Sequence, residues 1–170
     1  MPFIRSWEGG WSDDQHDSGG ATMCGVTLKT FTEWRVSHGC PKPTKEQLRK
    51  ISDPEWHDIF RERYWNRLRA DKIESQAVAN MAVDWYWCSG GIAIRTLQRF
   101  CCTTVDGIVG PKTIAAVNRC NPERLFRELS QARTEFLERI VRNNPSKARY
   151  LNGWLRRVNS IRYDRLILNR

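Results

Sequence analysis

Residues 76–88 read Gln-Ala-Val-Ala-Asn-Met-Ala-Val-Asp-Trp-Tyr-Trp-Cys. Wound at 3.6 residues per turn, this stretch presents apolar side chains on almost every side, which predicts a helix buried all round. Gly90-Gly91 ends it. A central buried helix needs other helices to cover it, so the fold class expected is mainly α, with little or no sheet.

The flanking sequence supplies those helices. On the N-terminal side, one is expected over about residues 2–8, stopped by Gly9-Gly10. The stretch from Trp11 to Gly20 is turn chemistry, rich in small and acidic residues and glycine, in which a short hairpin fits. A helix over about 28–38 is closed by Gly39, and Thr44 with Gln47 forms a capping box for the next. Asp53-Pro54 opens another, with Trp56, Ile59, Phe60 and Tyr64 on one face. Beyond Gly91, helices are expected over about 92–102, 111–119, 122–143 and 146–168, with Pro111 and Asn121-Pro122 as start signals. Gly90-Gly91 is the natural boundary between a first lobe, 1–89, and a second, 90–170.

Composition narrows the partners. The 170 residues carry a net charge of +9, and residues 121–170 hold twelve Lys/Arg against five Asp/Glu. Such a basic half implies a polyanionic partner or a solvated helical surface. Nucleic acid has only the charge in its favour, because no recognisable binding motif accompanies it. No apolar stretch is long enough for a membrane-spanning helix, and the N-terminus lacks the apolar core of a secretory signal. Synthesis in the cytoplasm without a signal peptide is therefore expected. The six cysteines include no Cys-x-x-Cys pair and read as reduced, mostly buried thiols, with no metal site.

Chemistry concentrates near the start. Glu8 sits at a helix end between Trp7 and Trp11, where an apolar surround would favour the protonated carboxyl that a general acid needs. Gly9 and Gly10 leave room beside it. Asp17 lies nine positions on in a polar, glycine-rich loop, which would keep it ionised, and Thr22 offers a hydroxyl to hold a water. Two carboxylates in contrasting environments suit hydrolysis of a glycosidic bond. Taken alone, the pattern is equally that of a helix end followed by an acidic turn. Asp84, on the apolar helix, must be paired, protonated or facing a cleft. Trp85 and Trp87, on the same helix, read as core.

The run Glu8-Gly9-Gly10-Trp11, then Asp13, Asp17, Gly19-Gly20-Ala21-Thr22 and Gly25-Val26-Thr27, resembles the opening motif of glycoside hydrolase family 108. The family comprises N-acetylmuramidases that serve as phage endolysins or secretion-associated muramidases. The likeness extends to Tyr64-Trp65, Asp84 and Leu97-Gln98. Val105-Asp106-Gly107-Ile108-Val109-Gly110-Pro111-Lys112-Thr113 is similar to an element of peptidoglycan-binding modules. Trp11 stands where the family has Tyr, Ser18 where it has Pro, and Met23-Cys24 where it has Asn-Tyr.

The resemblance implies a lysozyme-like helical fold and cleavage of the β-1,4 bond between N-acetylmuramic acid and N-acetylglucosamine. Glu8 is the implied general acid, with Asp17 and Thr22 as its water-positioning partners. Gly9, Gly10, Trp11 and Asp84 are the expected substrate contacts. Bacterial peptidoglycan is the partner, reached after release or export, by a monomer that uses no cofactor. The alternatives are a lytic transglycosylase acting on the same bond and a non-catalytic wall-binding secretion accessory.

Overall fold

The structure, a computed structural model, describes residues 2–13 and 20–169. Its elements begin with α1 (Pro2–Trp7), β1 (Trp11–Ser12), β2 (Thr22–Met23), β3 (Val26–Thr27), α2 (Leu28–Ser37), α3 (Lys45–Arg49) and α4 (Asp53–Phe60). A π-helical turn (Arg61–Trp65) and two 3-10 turns (Asn66–Leu68, Ala70–Lys72) follow. Then come α5 (Gln76–Ser89), α6 (Gly91–Phe100), α7 (Pro111–Arg119), α8 (Pro122–Asn143), a 3-10 turn (Pro145–Lys147) and α9 (Ala148–Ser160). The fold is mainly α, as residues 76–88 predict, and the three strands are two residues each. By packing, the chain falls into two compact units, one reaching Arg63 and joined by Asn169, the other spanning Tyr64–Leu168. The central helix α5 thus belongs with the second unit, although Gly90 marks a sharp turn with φ of +65°.

In the first unit, a three-stranded antiparallel sheet of order β1-β2-β3 replaces the simple hairpin expected. Cys24 and Gly25, both at positive φ (49° and 77°), make the two-residue turn that joins β2 to β3. Two left-handed residues in succession match the right-handed twist of paired strands, and Gly25 adopts that conformation without strain. Thr27 then caps α2, its hydroxyl accepting from the Thr30 N–H at 3.2 Å. The turn is anchored from α4: the buried Trp56 Nε1 donates to the Cys24 carbonyl at 2.9 Å. Trp56 also stacks on Phe60 with ring centroids 5.6 Å apart and carries the Arg5 guanidinium 5.2 Å above its own ring. Arg5 pairs with Asp53 at 2.8 Å, so one arginine ties α1 to both ends of the first turn of α4.

The second unit is built round α5, where Ala77 through Ala79 and Met81 through Trp85 are all buried. Helices α6 and α8 pack on it, and α8 pairs with α9. Among these apolar groups lies Asp84, only 1 % exposed. Arg133 of α8 reaches one carboxylate oxygen at 2.7 Å, and Arg157 of α9 reaches the other at 2.7 Å, with its Nε 3.1 Å from both. Burial alone would raise the Asp84 pKa, but the two guanidinium charges and their hydrogen bonds outweigh it and hold the carboxyl below its ordinary value.

Two expectations are corrected by the backbone. The last helix ends at Ser160 and does not continue to residue 168. Ile161, 3 % exposed, turns extended to bury its branched side chain, and the chain folds back in an Ile161–Leu166 bridge with Tyr163 set edge-on to Phe126 at 5.7 Å. The face expected to carry Trp56, Ile59, Phe60 and Tyr64 is interrupted after Phe60 by the π turn. That turn changes the angular spacing, and Tyr64 meets Tyr86 and Trp87 in the second unit instead. Trp85 lies in the core, whereas Trp87 is half-buried.

Trp56→Phe leaves the buried Cys24 carbonyl without its donor, a loss of about 1–3 kcal/mol. The melting temperature should fall by roughly 2–12 °C in calorimetry. Asp84→Asn removes the charge that two buried guanidinium groups share, so it should cost about 3–5 kcal/mol, or roughly 6–20 °C. Because the folded pKa of Asp84 lies below its unfolded value, its stabilisation is complete above about pH 4 and is lost as pH falls through the folded pKa. As pH falls below about 4, wild-type stability should therefore drop more steeply than that of Asp84→Asn; parallel slopes would contradict the assignment.

Candidate active site

Glu8 follows directly on α1, its N–H donating to the Arg5 carbonyl at 3.3 Å. The helix is fixed by Phe3 and Ile4, each 4 % exposed, and by the Arg5 clamp on α4. Those contacts hold the backbone of Glu8 still while its side chain remains half-buried. Phe3 and Ile4 are sunk in the core, and Trp7 is half-buried with its ring tilted against Phe3 at 6.3 Å. Gly9 and Gly10 are exposed, and a Cβ built on either would meet nothing within 4 Å. Packing does not demand glycine there.

The sheet sorts the neighbouring candidates. Trp11 pairs with Met23, while Ser12 pairs with Thr22 and Thr22 with Thr27. Side chains alternate along a strand, so Thr22 shares a face with Ser12 and Thr27, and Trp11 shares the opposite face with Met23. Trp11 does not present both sides of its ring to a ligand, because the Arg49 guanidinium sits 5.8 Å from its centroid. Lys45, from the same helix, pairs with Asp13 at 3.0 Å, which fixes the end of β1. The Thr22 hydroxyl donates to the Gly20 carbonyl at 3.1 Å, which leaves its lone pairs to accept from a bound molecule. Sequence reasoning missed Ser12 and Thr27 as members of this hydroxyl row. The signal was the period-two spacing around Cys24-Gly25, legible once that dipeptide is recognised as a primed turn.

Asp17 falls outside the described residues. Asp84 does not: it was expected as a substrate contact and is instead closed off inside the second unit by Arg133 and Arg157. A carboxylate with 1 % exposure and every oxygen engaged by guanidinium has no surface to offer a sugar. Of the three options open to an aspartate on an apolar helix, it takes pairing.

The Asp106-Gly107 element is also structural at its polar groups. Asp106 Oδ1 accepts from the Ile108 N–H at 2.8 Å and from Gln98 Nε2 at 2.7 Å. The Ile108 N–H, and then Gln98, keep its carboxyl below the usual range. Gln98, with no exposure, also donates to the Ile108 carbonyl at 3.0 Å and accepts from the Gly107 N–H at 2.9 Å. Gly107 has φ of +81°, and a Cβ there would lie 3.3 Å from the Arg95 guanidinium. One buried amide thus organises the whole turn.

Residues 1–90 match the model of the family described as Glycosyl hydrolase 108, and residues 92–159 match that of a "Predicted Peptidoglycan domain". No curated protein matches the chain. Among solved structures, the chain is similar to Brucella abortus SagA, at 32% identity and a TM-score of 0.78, over 98% of this chain and 91% of that one. These matches agree with a peptidoglycan-hydrolase class of enzyme, whose first 90 residues hold Glu8, the open glycines and the hydroxyl row. The chain belongs to the glycosyl hydrolase 108 family.

Proposed function

We propose that the protein is a muramidase that hydrolyses the β-1,4 bond between N-acetylmuramic acid and N-acetylglucosamine, with Glu8 as general acid. The observation that carries this reading is the placement of Glu8: a half-buried carboxyl on a rigidly clamped helix end, beside two glycines with open space around them. Protonation of the glycosidic oxygen by Glu8 frees the leaving sugar as positive charge develops at the anomeric carbon. Thr22, its own proton given to Gly20, accepts a hydrogen bond from the attacking water and turns the water's lone pair toward that carbon. Asp17 takes the proton from this water and steadies the charge; the assignment rests on the spacing of Glu8, Asp17 and Thr22 in the sequence. Attack from the face opposite Glu8 inverts the anomeric centre and makes Asp17 a base, not a nucleophile. The reaction takes place on the wall, once the protein has been released or exported.

Glu8→Gln keeps the shape and loses the proton, so clearance of a purified peptidoglycan suspension should slow by roughly 10²–10⁴-fold with the melting temperature little changed. Asp17→Asn should be damaging to a smaller degree, and Thr22→Ala least, since a backbone group can still hold the water. The released muropeptides should carry a reducing end. Products lighter by one water, or an Asp17→Asn protein with full activity beside a dead Glu8→Gln, would replace hydrolysis with internal transglycosylation. Normal clearance by Glu8→Gln would remove Glu8 from the mechanism.

A further inference from the structure

Residues 139–163 contain seven Lys/Arg and no Asp or Glu. One of the seven, Arg157, is withdrawn into the core by Asp84. The others, Arg139, Arg142, Lys147, Arg149, Arg156 and Arg162, are all exposed. Because α8 and α9 are packed neighbours joined by the short Pro145–Lys147 turn, Arg139, Arg142, Lys147 and Arg149 gather at the tip of this helical hairpin.

The same tip carries aromatic surface. Tyr150, 46% exposed, and Trp154 are one helical turn apart, stacked with centroids 5.9 Å apart and planes 26° apart. The Arg149 guanidinium lies 4.7 Å from the Tyr150 centroid. Gly153 is exposed in the middle of α9, next to Trp154 and three positions from Tyr150, and a Cβ there would meet nothing within 4 Å. A glycine inside a helix is unfavourable in itself, and here packing gives no reason for it. Its lack of a side chain leaves the edge of the ring pair open to a flat ligand.

We propose that this tip is the surface by which the second unit holds peptidoglycan, an inference that rests on the wall-directed reading of the enzyme. The rings suit the apolar faces of the N-acetylated sugars, and the guanidinium groups suit the carboxylates of the stem peptides. A glycan carrying regularly spaced carboxylates is the ligand that uses both features together. Two other places in the unit fit it less well. The Asp106-Gly107 turn engages Asp106 Oδ1 within itself, and its exposed large side chains, Val105 and Ile108, bring no cation. The cavity of about 430 Å³ bounded by Ile73, Glu74, Val117 and Tyr163 has no cation in its lining.

The test is co-sedimentation with insoluble, polymer-stripped sacculi, using Glu8→Gln protein so that nothing is digested. Binding should weaken steadily as sodium chloride rises. Arg139→Glu with Arg149→Glu should lower affinity about tenfold or more, and Arg142→Glu with Lys147→Glu should do the same through two other members of the tip. Tyr150→Ala with Trp154→Ala should cost roughly fivefold, a loss that persists at high salt. Sacculi whose carboxylates are blocked by carbodiimide and an amine should reproduce the charge-reversal loss with unaltered protein. Unchanged affinity in both charge-reversed proteins, each melting as the parent does, would overturn the assignment. So would a loss confined to phosphatidylglycerol vesicles, which would make the tip a membrane-facing surface. Because binding is read without turnover, a wild-type protein that sediments but never clears peptidoglycan would sink the catalytic reading and leave this one standing.

Discussion

A buried carboxylate between two guanidinium groups is the interaction on which the second unit depends. Asp84 alone in the middle of α5 would make that helix's burial untenable, because desolvating an unpaired charge costs more than the neighbouring alanines and valines return. With Arg133 and Arg157 in place, α5 can be apolar on all sides and still be specified in rotation, since only one orientation points Asp84 at both partners. Hydrophobic contact is tolerant of a slipped turn; three charged side chains at 2.7–3.1 Å are not. The positions of α8 and α9 follow from that constraint, and so does the exposure of the basic tip beyond it.

The first unit is organised by a different kind of contact. There a single indole, Trp56, supports the β2–β3 turn through its N–H, stacks on Phe60 and underlies Arg5. Arg5 in turn holds the helix from which Glu8 projects. Glu8 and the hydroxyl row therefore rest on the same side chain from two directions, which is how short strands of two residues can hold a fixed geometry.

Local patterns were legible in the sequence and distant pairings were not. The capping box of Thr44 and Gln47, the start signals at Pro54, Pro111 and Pro122, and the all-round apolarity of α5 each depend on residues within one or two turns, and each is found. The partners of Asp84 lie on other helices, so its sequence environment showed that it needed a solution but not which one. The stop at Ser160 escaped for a similar reason: burial of Ile161 and the packing of Tyr163 on Phe126 override a helical pattern that is locally acceptable. Glu8, Gly9, Gly10 and Thr22 stand as site candidates on their spacing in the sequence. The face-sorting that separates Thr22 from Trp11 needed the register of the sheet.

The order of the triad along the chain bears on synthesis. Arg157 follows Asp84 by 73 positions. While the ribosome is still delivering α9, a nascent second unit holds an aspartate whose second counter-charge has not yet emerged, so α5 has no complete resting place. Vectorial folding of that unit must then wait for nearly all of its residues, and a nascent chain arrested before Arg157 presents an amphipathic α8 and an unsatisfied core to whatever chaperone is at hand. In the first unit, by contrast, the contacts among Arg5, Asp53 and Trp56 can all form by then, and only the Asn169 segment that joins it is still to come.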